Sequence, residues 1–79
     1  MAVYTELIPE HRQTVARKLA ASMRMQEEDA EAIAMLAYNY HDDIASRDYS
    51  FLQDNGFGEN AVYWARMVEK YVKIAGSIK

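Results

Sequence analysis

Two histidines, twelve carboxylates and no cysteine set the chemistry open to this 79-residue sequence. Without cysteine there is no disulfide, no thiolate nucleophile and no Cys-ligated zinc or iron–sulfur centre. The densest chemical triplet is His41-Asp42-Asp43. Imidazole nitrogen and carboxylate oxygen are both ligands for a divalent ion. Consecutive residues on a helix diverge by about 100°, however, so only one of the two aspartates could share an ion with His41. The other histidine, His11, lies on a different segment. A centre built from His11, His41 and Asp42 or Asp43 would need those segments to pack antiparallel. A solvated helix end accounts for the triplet more simply, and neither metal nor cofactor is expected.

The His41-Asp42 pair resembles the histidine–aspartate step of HD-class metal phosphohydrolases. Those enzymes take further histidines and aspartates from several helices, and this chain has only His11 to offer. The stretch from Asp48 to Glu59 has the length and ends of a calcium loop. Leu52 stands where the fifth-position oxygen belongs and Gln53 where the turn glycine belongs, so the loop is rejected. No phosphate-binding glycine loop, nucleophile elbow or paired-carboxylate pocket occurs. An enzyme is therefore not expected.

One further outline bears on nucleic acid. Phe51 to Phe57, followed by Asn60 to Arg66, resembles a helix-turn-helix with a glycine in the turn and Val62 packing back six residues later. Asn60, Tyr63, Arg66 and Lys70 would then face a groove of DNA. Leu52 occupies a position that calls for a small side chain, and Asp48, Asp54 and Glu59 would sit near phosphates. A net charge of −3 gives little drive from counterion release. A DNA-binding regulator using residues 48–70 is the alternative reading. The run Met23-Arg24-Met25 ahead of an alanine-rich helix also resembles ubiquitin-associated domains. The diagnostic glycine is absent and the middle helix is too long, so no family is recognised.

The elements that position these residues follow from apolar spacing. A first helix is expected from about Pro9 to Met25, with Thr5 or the proline marking its start and Val15, Leu19 and Met23 on one face. A second is expected from about Glu27 to Ser46. Its first turn is acidic, which suits the positive end of a helix dipole. Ala30, Ile33, Ala37, Tyr40 and Ile44 form its seam. Met35, Leu36 and Tyr38 widen that stripe until the segment is apolar nearly all round, as in a central helix covered from two sides. A short extra turn of helix fits Tyr49 to Gln53, and Asp54 to Gly58 is a break. The last helix runs from about Glu59 to Ala75. It has a narrow seam of Ala61, Ala65, Val68, Val72 and Ala75, and a second ridge of Trp64, Met67, Tyr71, Ile74 and Ile78.

The expected fold is all-α: one domain over residues 1–79, a compact three-helix bundle with room for a short fourth helix before the last. No apolar run approaches the ~20 residues of a membrane span, and no targeting segment is read at the N-terminus, so a cytoplasmic protein is expected. Charge is segregated: residues 26–58 carry one basic and eight acidic side chains, against four basic and two acidic in each of residues 1–25 and 59–79. Such an acidic middle can be neutralised inside the bundle or can steer a basic partner. The expected function is non-catalytic: a small acidic protein that binds a protein partner with a basic surface as inhibitor or adaptor, of the kind phages and mobile elements direct at host machinery. Glu28, Glu31 and Asp42 supply the charge for that contact. Tyr63, Trp64, Met67, Tyr71 and Ile74 supply the apolar surface for a partner or a homodimer.

Overall fold

The computed structural model describes residues 9–77, with side chains from His11 onward, and these are helical with short connections. The elements are α1 (Pro9–Met23), α2 (Glu27–Asn39), α3 (His41–Ala45), α4 (Ser50–Asp54), a 3-10 turn (Gly58–Asn60) and α5 (Ala61–Ser77). The fold is all-α, as the apolar spacing predicts. The expected cap at Thr5 and the ridge position Ile78 lie outside the described residues.

Helices α1, α2 and α5 pack on one another pairwise. Arg12, near the start of α1, lies 5.2 Å from the ring centroid of Tyr38, near the end of α2, so these two helices run antiparallel. The core is drawn from every helix. Val15 and Leu19 come from α1, Ile33 from α2, Leu52 from α4, and Val68 and Tyr71 from α5, all of them fully buried. The alanines at positions 16 and 20 of α1 and 30, 34 and 37 of α2 are buried, and a side chain of one carbon lets neighbouring backbones approach.

The structure corrects the sequence reading at three places. The expected second helix is two helices, because Tyr40 leaves helical geometry with φ −120 and ψ 33. Its ring stacks on Phe51 at 4.7 Å and accepts a hydrogen bond at its hydroxyl from Asn55 Nδ2 at 3.2 Å. At the same point His41 Nδ1–H donates to the carbonyl of Tyr38 at 3.1 Å, a carbonyl that an unbroken helix gives to the amide of Asp42. Met23 is 37% exposed rather than on the buried face, since α1 ends there. On α5 the buried line is Met67, Val68, Tyr71 and Ala75, which runs between the two expected ridges rather than along either.

Three helix ends use the same turn. Met25 N–H donates to Ala20, Asp48 N–H to Asp43 and Phe57 N–H to Leu52, each a bond spanning five residues. That is the bond of a Schellman motif, and it requires a left-handed residue just before the donor. Gly56 supplies it at φ 87, whereas Arg24 and Arg47 adopt φ 55 and φ 59 without the freedom of glycine.

Candidate protein-binding surface

The acidic start of α2 opens an exposed stripe. Glu28, Glu31, Met35 and Tyr38 are spaced by 3, 4 and 3 residues. At about 100° per residue they fall within roughly 80° of the helix circumference. All four are exposed; Met35 retains 52% and Tyr38 42% of its surface. The opposite side of α2 holds its buried residues, so the stripe points away from the core. Beside it lies a shallow groove of about 220 Å³ between α1 and α2, lined by Arg12, Gln13, Ala16, Glu31, Ala34 and Met35. Arg12 sits over one face of the Tyr38 ring, a cation–π contact that holds that ring against the α1 edge of the groove.

Among the described residues, Glu27, Glu28, Asp29 and Glu31 form no ion pair, and neither do Arg66, Lys70 and Lys73. The close contact between a nitrogen base and a carboxylate among the described residues is local, with His41 Nε2 3.3 Å from Asp42 Oδ1, and it is an ion pair only when the imidazole is protonated. Among the described residues, no ion pair thus joins the acidic segment to a basic one. Glu69 is engaged differently: its Oε2 accepts the hydroxyl of Tyr49 at 2.8 Å, tying α5 to the segment before α4.

The sequence-derived site residues divide into three groups. Glu28 and Glu31 lie on the α2 stripe. Asp42 is exposed but belongs to α3, beyond the break at Tyr40, with its carboxylate against His41. Of the α5 residues, Tyr63 is 44% exposed, while Trp64 and Ile74 are half-buried against the core. Met67 and Tyr71 are inside it, at 3% and 0% exposure, so the outer apolar ridge does not exist as a surface. The physical reason is that α5 meets both α1 and α2, and the two expected ridges straddle one wide buried face.

The sequence puts Met35 and Tyr38 on a helix covered from two sides, yet both remain exposed, with Arg12 of α1 over one face of the Tyr38 ring. A signal was present: they follow Glu28 and Glu31 on the same helical stripe, and a stripe that begins with two acids is a poor candidate for burial.

The remaining motifs carry less. The described residues contain no group of three or more His, Asp or Glu able to hold one metal ion. Val62, expected to pack back in a helix-turn-helix, is 72% exposed, and the first helix of that motif is the five-residue α4. Of the residues that this outline turns to DNA, Asn60 lies in the 3-10 turn, Tyr63 and Arg66 are exposed on α5 and Lys70 is half-buried; Tyr63, Arg66, Lys70 and the exposed Lys73 form a stripe on the outer side of α5. No described helix is long and apolar enough to cross a membrane. No protein-family model, curated protein or solved structure matches the chain.

Proposed function

We propose that this protein is a non-catalytic binding protein that engages a basic protein surface through the exposed stripe of α2, acting as an adaptor or inhibitor of what it binds. The observation that carries this reading is the pairing of exposed Met35 and Tyr38 with carboxylates that form no ion pair among the described residues. A methionine supplies an adaptable apolar contact and a tyrosine a rigid one with a polar tip. Flanking carboxylates speed encounter with a basic surface and reject acidic ones.

The test is capture by crosslinking from a cell extract, comparing the wild type with a Met35→Ala/Tyr38→Ala variant, a Glu28→Lys/Glu31→Lys variant and the distant control Lys18→Ala. Loss of the same crosslinked species from both stripe variants, with retention by the control, is the expected outcome. An unchanged set of crosslinks in the stripe variants would overturn the assignment of the surface.

A further inference from the structure

The α5 stripe complements the α2 stripe residue by residue. Glu28, Glu31, Met35 and Tyr38 lie at offsets 0, 3, 7 and 10, and Tyr63, Arg66, Lys70 and Lys73 repeat the same offsets. Each set spans about 15 Å of helix. Laid antiparallel, Glu28 meets Lys73, Glu31 meets Lys70, Met35 meets the stem of Arg66, and Tyr38 meets Tyr63. Laid parallel, the acids meet Tyr63 and Arg66, and Tyr38 meets Lys73. Only the antiparallel arrangement puts apolar ends together while placing both acids opposite lysines. Val62, at 72% exposure, extends the apolar end beside Tyr63.

These two stripes cannot satisfy each other within one chain. Both point away from the buried faces of their helices, and none of the charged members is ion-paired among the described residues.

From this complementarity we infer that the basic surface recognised by α2 is the outer stripe of α5 on a second copy of the chain. This inference rests on the assignment of α2 as the binding face. In a two-fold dimer the contact is made twice, since α2 of each copy meets α5 of the other. Four acid–base pairs and two Tyr38–Tyr63 contacts then hold the assembly. Such a contact is largely rim-like, so association is expected to be moderate and salt-sensitive rather than tight. A target with its own basic helix would compete for the same stripe.

Charge-swap complementation tests the idea directly. By sedimentation velocity at low salt, the wild type should shift from monomer to dimer across the micromolar to near-millimolar range, and high salt should reverse the shift. Glu28→Lys/Glu31→Lys should weaken self-association at least about tenfold, as should Lys70→Glu/Lys73→Glu. An equimolar mixture of the two variants should recover it, because both contacts of the mixed dimer join opposite charges, one as in the wild type and the other with the signs exchanged. Circular dichroism confirms that each variant is folded.

A wild type that stays monomeric throughout overturns the second copy as partner. The capture assay above would then still decide whether α2 binds something else. Variants that associate as well as the wild type overturn this register, and retention of duplex DNA by the Arg66–Lys73 stripe with no dimer would assign that stripe to nucleic acid instead.

Discussion

Tyr71 has a buried hydroxyl with no hydrogen-bond partner among the described residues. Burial pushes its pKa from 10.0 up to about 12, while the charge of Arg12 pulls the other way. A phenol raised in this way stabilises the fold fully below its unfolded pKa. That contribution is lost as pH climbs from about 10 towards 12, because the unfolded chain releases its proton first. Chemical denaturation over this window should show stability falling by up to ~1.4 kcal/mol per pH unit from this group. Tyr71→Phe should remove that share of the slope. It should also add about 1 kcal/mol at neutral pH, since an orphaned hydroxyl no longer has to be desolvated. Identical alkaline slopes in variant and wild type would contradict the burial of the ring. The sequence placed Tyr71 on the partner-facing ridge because tyrosine is at home in both settings, and residue type alone does not separate them.

At the scale of elements, the helix stops differ most from what the sequence reveals. The turn at Gly56 is legible, because an Asn-Gly pair announces a left-handed residue. The equivalent turns at Arg24 and Arg47 carry no such letter, and tertiary packing fixes them: Met25, just after the first, is packed against the core. A left-handed arginine gives up roughly 1 kcal/mol relative to glycine. Arg24→Gly and Arg47→Gly should therefore each raise the melting temperature by several degrees, and Gly56→Ala should lower it by a similar amount. Arginine-to-glycine changes that lower it would mean that these helix ends are built otherwise. The buried faces were easier to read, since spacing at 3 and 4 residues needs no knowledge of neighbours. Leu19→Ala, Ile33→Ala and Val68→Ala should each cost ~2–4 kcal/mol in denaturant melts. The break at Tyr40 carries no local sequence signal, because the ring stacking that accompanies it is on Phe51, eleven residues later.

For the whole molecule, the dimensions of 32 × 28 × 16 Å leave the core little more than one layer of side chains thick. Every long helix thus keeps one face in water, and those faces hold the charges that the sequence shows as blocks. The block pattern was legible, but not whether acid and base would meet inside the fold. That depends on which way the outer faces of α2 and α5 point once both have docked. Since Glu28 and Glu31 form no ion pair among the described residues, reversing them to lysine should cost only their share in the dipole of α2, about 1 kcal/mol in all. Thermal melts in dilute solution, where association does not contribute, measure this directly. A loss above about 2 kcal/mol would show that the carboxylates hold the bundle together by charge.

Trp64 is the chain's single tryptophan, and it stands edge-on to Phe57 at 4.9 Å and to Tyr63 at 5.0 Å. This arrangement makes the protein its own optical gauge. Indole emission reports how firmly the turn after α4 is seated on α5. Loss of water beside Tyr63, the phenol proposed to meet a second copy, should move that emission to the blue, and exposure of the indole as the turn loosens should move it to the red. Assembly and loosening of the turn therefore shift the fluorescence of the unlabelled chain in opposite directions.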